Sequence, residues 1–450
     1  MSSSTDVIVV GAGASGLAAA VELGRAGIAV MVLEARDRIG GRILTHSDPS
    51  SGVAIELGAE FIHGLPPEIW QPLQARNVKI TETQGESWCH ANGRLSPCDF
   101  YSKVEKILQR MDAKEPDQSF LSFLNRCCPD SNADAKERDA RDRALAYVVG
   151  FNAADPELIG VHWLVNSMRA EERIEGDRGF RAQGGYENLI EIFNQQLTAA
   201  GVSVRTGVIV QSINWTSGHA ELTASDPSGS ARFDARRVLI TLPLAVLQAA
   251  PGETGAVDFK PTLPARKLDA LTKLEMGKVA RISLRFRHRF WTQIPAHDGS
   301  SLNLAGMRFL FSQDKWFPTW WTMLPDRVPI MTGWAPFQCA ERLAGKPRAF
   351  VVEQALQALN RLLNISSDDL TRSLEAEYFH DWQSDPFSRG AYTYGKVGAD
   401  GAQEAIASPI ENMLFFAGEA TDTSGHNGTV HGAIASRIRA AREILAADRK

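Results

Sequence analysis

The chain has 450 residues, of which 44% are hydrophobic and 22% are charged. This length and composition are typical of a globular protein with a large buried core, and they exclude a disordered chain, a collagen and a coiled coil. The 48 basic and 53 acidic side chains give a formal net charge of −5. Because no run of five lysine or arginine residues occurs, we expect a small-molecule ligand and no nucleic-acid partner.

The cysteines and the termini indicate the compartment. The five cysteines match no zinc spacing and no Cys-x-x-Cys pair, and we interpret them as reduced thiols in a reducing compartment. The N-terminus lacks the basic and apolar pattern of a secretory signal. No apolar run approaches the roughly 18 residues that a membrane helix needs. We therefore expect a cytoplasmic protein without membrane contact.

The first 34 residues have the pattern of a βαβ unit. The β-branched run Val7–Val10 predicts a buried strand, and the spacing of apolar residues over 17–27 predicts a helix. A second apolar run over 29–33 predicts a parallel strand that ends at Glu34. This order is typical of a parallel sheet with helical crossovers.

Later segments alternate between helical and strand-forming patterns. From about residue 66 to 179 the segments are longer, more charged and helical, and no internal repeat or low-complexity linker follows. Further strands are predicted at 202–205, 208–213, 238–242, 278–286 and 412–417, and further helices at 186–200, 350–363, 368–377 and from about Val430 onward. This mixture predicts two interleaved domains, one of them built from the first, middle and last segments.

A glycine-rich turn joins the first strand to the first helix. In the motif Gly11-x-Gly13-x-x-Gly16 the first glycine permits a tight turn, the second allows close approach of a pyrophosphate, and the third allows the helix to pack on the sheet. Glu34, at the end of the next strand, can accept hydrogen bonds from ribose hydroxyls. Strand, turn, helix and acid together predict a dinucleotide-binding site.

A series of further motifs follows this site in order along the chain. Arg36, Gly41 and Arg42 lie directly after the ribose acid, where arginines suit a pyrophosphate. The other motifs are Glu56-Leu-Gly-Ala-Glu-Phe-Ile-His-Gly64, Gln183-Gly-Gly-Tyr186, Thr241-Leu-Pro-Leu-Ala-Val-Leu247, Arg389-Gly-Ala-Tyr392, Phe416-Ala-Gly-Glu419 and Thr429-Val-His-Gly-Ala433. With these motifs the sequence resembles, almost end to end, the flavin-dependent amine oxidase family of monoamine oxidases, polyamine oxidases, histone-lysine demethylases and L-amino-acid oxidases.

The resemblance implies an α/β fold. A Rossmann-type FAD-binding domain would be interleaved with a mixed α+β substrate-binding domain, in the topology of amine oxidases and p-hydroxybenzoate hydroxylase. We assign residues 1–74, 181–262 and 385–450 to the FAD-binding domain. Residues 75–180 and 263–384 are assigned to the substrate-binding domain.

The resemblance also implies non-covalent FAD. Ala391 stands where monoamine oxidases have the cysteine that bonds to the flavin. Glu34 would bind the adenosine ribose, Arg42 the pyrophosphate and Val210 the adenine, while Glu419 would lie near the ribityl chain. The expected cofactor-binding residues are Gly11, Gly13, Ala14, Ser15, Gly16, Glu34, Ala35, Arg36, Gly41, Arg42, Gly58, Ala59, Glu60, Phe61, Val210, Trp382, Gly418, Glu419, Thr429 and Val430.

Two residues fall on the positions of the aromatic cage that holds the amine in this family, and a third lines the flavin site. Tyr392 falls on one cage position, and Thr429 falls on the other, where monoamine oxidases carry a second tyrosine. Trp382 matches a tryptophan that lines the flavin site. A small residue at 429 resembles polyamine oxidases and demethylases more than monoamine oxidases.

Two further residues are expected at the reacting centre. His63 aligns with a histidine or acid that faces the substrate in polyamine oxidases. Arg281 stands where most relatives have a lysine associated with the reaction with oxygen. Lys278 lies three residues earlier on the same predicted strand, and an odd separation places the two side chains on opposite faces. Lys278 can therefore replace that lysine only if a β-bulge intervenes.

No metal site is expected from the spacing of possible ligands. His46, His63, His90, His426 and His431 occur without a second ligand at helical or hairpin spacing. We interpret the acidic stretch 171–175 as a solvated face.

The resemblance implies oxidation of a primary or secondary amine, such as a polyamine or a related alkyl or aryl amine, by hydride transfer to flavin N5. The imine would hydrolyse to an aldehyde or ketone plus an amine or ammonia, and O2 would reoxidise the flavin and give hydrogen peroxide. One alternative is an L-amino-acid oxidase, which would need Arg281 or Arg181 to bind a carboxylate. The others are an amine dehydrogenase with a protein electron acceptor and a flavin-bearing protein without turnover. The chain is expected to be a monomer or a homodimer.

Overall fold

The structure is a computed structural model that describes residues 5–91, 93–129, 134–295 and 301–448. Residues 1–4 and 449–450 lie outside the described residues. The expectation about a secretory signal at the N-terminus depends partly on residues 1–4. The helices are Ala14–Arg25, Pro67–Ala75, Phe100–Leu108, Phe120–Cys127, Ala135–Asn152, Val161–Glu172, Glu187–Ala199, Leu244–Leu247, Ala265–Thr272, Gln338–Leu343, Arg348–Leu363, Ser367–Ser373, Ala402–Ala407 and Val430–Asp448. Within the described ranges no helix is long and apolar enough to cross a membrane.

An eight-stranded sheet, called here the large sheet, contains the predicted βαβ unit. Thr5–Val10 pairs in parallel with Val30–Leu33 on one side and with Gly229–Ile240 on the other. Ser203–Arg205 and Leu414–Phe416 extend these parallel pairs. The remaining strands are His219–Asp226, Ile209–Thr216 and Asp258–Lys260.

The parallel strands of the large sheet determine where a ligand can bind. Their carboxyl ends meet at one edge, because parallel strands all run in the same direction. The residues that follow them there are Gly11, Glu34, Thr241 and Ala417, which come from the two ends and the middle of the chain. Ligands of open α/β sheets bind at this edge.

Both faces of the large sheet are buried. Val7 and Val9 pack with the helices Ala14–Arg25, Glu187–Ala199 and Val430–Asp448 on one face. The alternate residues, such as Ile8 and Val10, belong to a second cluster on the other face. This alternation explains why the central strands are continuous apolar runs in the sequence.

A seven-stranded sheet, called here the second sheet, has its own core. Its strands in spatial order are Leu374–Phe379, Val279–Phe286, Ile330–Pro336, Thr319–Thr322, Met307–Phe311, Glu86–Ala91 and Arg94–Pro97. Helix Arg348–Leu363 packs its apolar face in the same cluster. The smaller strands are Thr45–Ser47, Ala54–Glu56, Ile62–His63, Ile80–Glu82, Gly179–Ala182, Leu274–Met276, Ile294–Pro295, Ser301–Leu302 and Thr393–Gly395.

The mixed α/β fold is as expected, and the domain boundaries given above stay a prediction. One predicted helix is too long, because residues 368–377 form helix Ser367–Ser373 followed by strand Leu374–Phe379. That strand pairs with Val279–Phe286, so tertiary pairing overrides the local helical pattern.

The expectation of reduced thiols is wrong for two cysteines. Cys89 lies in strand Glu86–Ala91, and Cys98 directly follows its hairpin partner Arg94–Pro97; the two form a disulfide with their Cα atoms 5.7 Å apart. Cys127, Cys128 and Cys339 are free thiols. Sequence spacing alone does not identify such a pair, because the hairpin brings its two cysteines together.

A buried carboxyl connects two peripheral segments of the fold. Glu56 accepts hydrogen bonds from the Tyr186 backbone N–H at 2.6 Å and from the Thr45 hydroxyl at 2.8 Å. Burial is the main cause that raises the pKa of Glu56 to about 7. An ionised carboxylate at this site is therefore unfavourable in the folded protein.

We expect Glu56→Gln to stabilise the fold at pH 8 but not at pH 5. In the unfolded chain Glu56 ionises near pH 4.5, whereas in the folded chain it ionises near pH 7. The contribution of Glu56 to the free energy of unfolding is therefore full below about pH 4.5 and is lost as the pH rises through about 7. At pH 8 the substitution raises the free energy of unfolding by at most about 3 kcal/mol. Denaturant unfolding at both pH values measures it, with the exposed Glu353→Gln as control; an equal effect at both pH values would contradict the assignment.

Candidate active site

A large cavity of about 1520 Å³ lies between the carboxyl edge of the large sheet and the second sheet. Its volume exceeds the roughly 300–1,000 Å³ of common ligand sites, so it has room for a dinucleotide and a second ligand. Every site residue predicted from the sequence lines it except Gly16. The sequence therefore identifies most of one wall of this cavity.

The glycine turn has the conformation that the motif predicts. Gly11 has a φ of +105°, which favours glycine. A Cβ atom on Gly16 would lie 2.1 Å from the Gly11 carbonyl oxygen, so Gly16 allows the helix to approach the turn. A Cβ atom on Gly13 would meet nothing within 4 Å, because Gly13 faces the cavity at the N-terminus of the helix. This open space fits a pyrophosphate.

Glu34 fixes the turn and faces the same cavity. Its buried carboxylate accepts hydrogen bonds from the backbone N–H groups of Ala12, at 2.7 Å, and of Arg36, at 3.0 Å. A carboxylate has about four acceptor sites. The unused ones are available to a ribose diol, as the motif predicts.

The two arginines after Glu34 differ in their partners. Arg36 donates to Asp385 and Ser388, each at 2.8 Å. Arg42 donates to the Ala391 carbonyl at 2.7 Å and to Glu419 at 3.0 Å. Both line the cavity, but their guanidinium groups are already engaged in contacts that join distant segments of the chain.

Glu419 is a buried connector. Besides Arg42, its carboxylate accepts hydrogen bonds from the Thr393 hydroxyl at 2.9 Å and from the Gly428 backbone N–H at 3.1 Å. These contacts hold the Gly428 turn against the segment that carries Tyr392. A Cβ atom on Gly428 would lie 3.2 Å from the Tyr392 ring, so glycine is required for this approach.

Thr429 caps the final helix. Its hydroxyl accepts a hydrogen bond from the Gly432 N–H at 3.0 Å and donates one to the His426 carbonyl at 2.6 Å. Both bonds are typical of a helix N-terminus. Thr429 and Val430 therefore present the positive end of helix Val430–Asp448 to the cavity.

The orientation of each predicted aromatic residue is fixed by a hydrogen bond. Tyr392 donates its hydroxyl to the Phe151 carbonyl at 2.6 Å, and burial raises its pKa. Trp382 donates its indole N–H to the Leu57 carbonyl at 2.6 Å. With their polar atoms engaged, both residues offer ring surface to the cavity.

A buried ion cluster lies where the sequence places Arg281. Arg281 pairs with Glu60 and donates to the Gly58 carbonyl at 2.8 Å. Glu60 also accepts bonds from Arg181 at 2.8 Å and from the Trp321 indole at 3.1 Å. Burial opposes ionisation of Glu60, but the two arginines outweigh it and lower its pKa.

Lys278 does not contribute to this site. Its ammonium group pairs with Glu341 at 2.7 Å, and both side chains are about half exposed. The expectation that Lys278 and Arg281 point to opposite faces is thus confirmed. Among the described residues Lys315 is the lysine that lines the cavity, and it belongs to the loop after strand Met307–Phe311 rather than to the strand of Arg281.

His63 lies at the far wall of the cavity among aromatic rings. Its ring is 5.4 Å from that of Phe151 and 6.3 Å from that of Phe61. Burial is the main cause that lowers its pKa, so the imidazole is neutral at pH 7.

Sequence reasoning missed two features of this wall. Arg308 lines the cavity, and its Nε has no hydrogen-bond partner. Glu171, interpreted above as part of a solvated face, also lines the cavity, and its carboxylate lies near His426 and His431. The helical register of Val161–Glu172 is the only sequence signal that separates Glu171 from its exposed neighbour Glu172.

Comparison with known proteins agrees with this geometry. The family model described as flavin containing amine oxidoreductase matches residues 14–445. The chain belongs to this family. The glycine cradle and the family together make FAD the cofactor, and the residues of the carboxyl edge described above would hold it.

Two plant proteins illustrate the range of relatives. Lysine-specific histone demethylase 1 homolog 2 of Arabidopsis thaliana is 29% identical over 98% of this chain, which spans 58% of the demethylase. Polyamine oxidase 4 of Oryza sativa subsp. japonica is 28% identical over 97% of this chain and 88% of its own length. The chain thus spans between 30% and 58% of the length of four demethylases that it matches.

A solved structure shares the fold of this amine oxidoreductase. A putrescine oxidase bound to putrescine superposes with a TM-score of 0.78 and 21% identity, over 98% of this chain and 99% of that one.

We expect Glu34→Gln to weaken FAD binding by about tenfold or more, because hydrogen bonds to a charged group are worth about 1.5–3 kcal/mol. The matched control is Tyr392→Ala, which alters the cavity far from the glycine turn and is expected to retain FAD. Titration of the apoprotein with FAD, followed by flavin fluorescence, measures both affinities. Equal losses in the two variants would contradict the separate roles.

Removal of the central carboxylate tests the ion cluster. Glu60→Gln leaves two buried arginines without a counter-charge, so we expect a loss of about 3–5 kcal/mol in the free energy of unfolding. Glu341→Gln, which breaks the exposed pair with Lys278, is the control and is expected to cost about 1 kcal/mol or less. Denaturant unfolding of both holoproteins measures the difference. A loss as small for Glu60→Gln as for the control would refute the role of the cluster.

Proposed function

We propose that the protein is an FAD-dependent amine oxidase. It would convert a primary or secondary amine, such as a polyamine or a related alkyl or aryl amine, to an imine that hydrolyses to an aldehyde or ketone. The observation that carries the proposal is the aromatic wall of Tyr392 and Trp382 beside the start of helix Val430–Asp448. FAD, when bound non-covalently, supplies the acceptor for the hydride of the amine α-carbon, and its reoxidation by O2 yields hydrogen peroxide.

The residues of the wall favour a neutral, oriented amine. Tyr392 and Trp382 direct ring surface toward the cavity because their polar atoms bond to backbone carbonyls. Desolvation among such rings disfavours the ammonium form of the substrate. Only the neutral nitrogen can donate electron density to the carbon that loses hydride. The neutral imidazole of His63 can accept a hydrogen bond from the amine.

The positive end of the final helix stabilises negative charge beside this wall. Thr429 caps the helix by accepting the Gly432 N–H, and Val430 and His431 in the first turn line the cavity, so the positive end of the helix dipole faces it. A fixed dipole of this kind needs no reorganisation during reaction. Thr429 thus has two roles. Its hydroxyl caps the helix, and its small side chain leaves space at the cage position.

Oxidation of an α-amino acid is the second candidate function. Arg281 and Arg181, the two arginines considered for the carboxylate, both pair with Glu60. Arg308 favours this candidate, because it lines the cavity with an unpartnered Nε. Arg308→Met would abolish oxidation of an amino acid but leave that of a simple amine.

The decisive experiment is anaerobic mixing of the holoprotein with polyamines, aryl-alkyl and cyclic amines, amino acids and a methyl-lysine peptide, followed by the flavin absorbance. We expect amines to bleach it, and Tyr392→Ala to slow bleaching about tenfold or more, a barrier change of about 1.4 kcal/mol. Tyr392→Phe, which keeps the ring, is the control and should retain most of the rate.

The other outcomes are equally specific. Bleaching by amino acids alone would replace the proposal by the second candidate. No bleaching by any compound would reject both candidates and favour a flavoprotein without turnover. Admission of air after bleaching shows whether O2 or a protein carrier is the acceptor.

A further inference from the structure

Three potential metal ligands that are distant in sequence converge behind the aromatic wall. Glu171 is near the end of helix Val161–Glu172, His431 is in the first turn of helix Val430–Asp448, and His426 is in the loop before it. One ligand atom from each residue lies within 4.8 Å of the other two. These residues lack helical or hairpin spacing in the sequence, and for that reason no metal site was expected. The fold nevertheless brings them together.

Each of the three side chains has a buried polar atom without a hydrogen-bond partner, namely Glu171 Oε2, His426 Nδ1 and His431 Nε2. The other carboxylate oxygen, Glu171 Oε1, lies 3.9 Å from His426 Nδ1. His431 is 3% exposed, and the side chains of His426 and Glu171 are 12% and 20% exposed. An unsatisfied buried polar atom costs about 1–3 kcal/mol. A single ligand bound by all three side chains would reduce this cost.

We propose that Glu171, His426 and His431 form a binding site for one divalent transition-metal ion of the Zn²⁺ type. Two imidazoles and one carboxylate are a known ligand set for zinc with a fourth position open. Imidazole also excludes Mg²⁺ and Ca²⁺ as preferred ions, since those select oxygen ligands. Glu171 and His431 line the cavity, so the open position would face it.

The site needs a small closure to bind the ion. Ligand atoms about 2.1 Å from a tetrahedral zinc ion lie about 3.4 Å apart, compared with up to 4.8 Å between these atoms. Side-chain rotation of Glu171, in the last turn of its helix, can supply this closure. The bound ion would then attach helix Val161–Glu172 to the start of the final helix.

Zinc binding to the FAD-loaded protein tests the proposal. The thiols of Cys127 and Cys128 lie 2.8 Å apart and can bind Zn²⁺ themselves, so all proteins carry Cys127→Ser and Cys128→Ser. After treatment with a chelator, equilibrium dialysis against Zn²⁺ and elemental analysis give stoichiometry and affinity. We expect one ion per chain.

The variants assign the ligands. We expect Glu171→Gln and His426→Gln each to weaken Zn²⁺ binding about 100-fold or more, because even outer-shell changes cost about 10–100-fold. His219→Gln is the control, since His219 is exposed and pairs with Asp234 on the large sheet. Flavin absorbance confirms that each variant is folded.

Co²⁺ provides a readout that needs no variant at the site. Bound to nitrogen ligands in the holoprotein, it should give visible absorption bands that Zn²⁺ abolishes. Absence of one-to-one Zn²⁺ binding, or binding unchanged in both Glu171→Gln and His426→Gln, would overturn the proposal and indicate that the three residues hold only water. If a variant loses its flavin, the presence or absence of the Co²⁺ bands decides.

Discussion

The buried contact of Glu60 with Arg281 and Arg181 holds the two halves of the cavity together. Glu60 belongs to the segment that also supplies Gly58 and Phe61, whereas Arg281 and Trp321 are on the second sheet. Their charges are removed from water, so each group needs the others and tolerates little displacement. The distance between the glycine cradle and the aromatic wall depends on this cluster.

The same cluster explains how an arginine is accommodated at position 281. The planar guanidinium of Arg281 bonds to the Glu60 carboxylate and the Gly58 carbonyl at the same time. The N–H groups of a guanidinium have fixed directions, whereas the ammonium group of a lysine rotates freely. The cation is retained, but it is committed to neighbouring protein groups. Its charge is therefore balanced by Glu60 within the protein.

The cofactor half of the structure was largely predictable from the sequence. Gly11, Gly13 and Glu34 have local reasons for their identity, namely a positive φ, open space for a ligand and a carboxylate at a strand end. Tyr392 and Trp382 could be found only through the resemblance to a family, because an aromatic residue carries no local signal that distinguishes a cavity wall from a core. All of these residues line one cavity.

What could not be predicted depends on contacts between distant segments. The strand Leu374–Phe379 forms because a neighbouring strand is present, and the Cys89–Cys98 disulfide forms because a hairpin brings the two cysteines close. Thr429 acts as a cap because a helix begins there. Arg308 and Glu171 face the cavity only through the orientation of their own elements. The expectation that no metal site exists was based on the spacing of histidines in the sequence. Such spacing does not reveal ligands that separate structural elements contribute.

The separation in sequence of the residues at the carboxyl edge has a consequence for biosynthesis. Gly11 and Glu34 are synthesised long before Gly418, Glu419 and helix Val430–Asp448, which complete the cradle. At about 5–20 residues per second, translation of the intervening chain takes roughly 20–80 s. Throughout this interval the apolar strands around Thr5–Val10 lack the helix Val430–Asp448 that covers them. The nascent chain must therefore remain protected from aggregation until this helix docks, and the cofactor cradle stays incomplete until then.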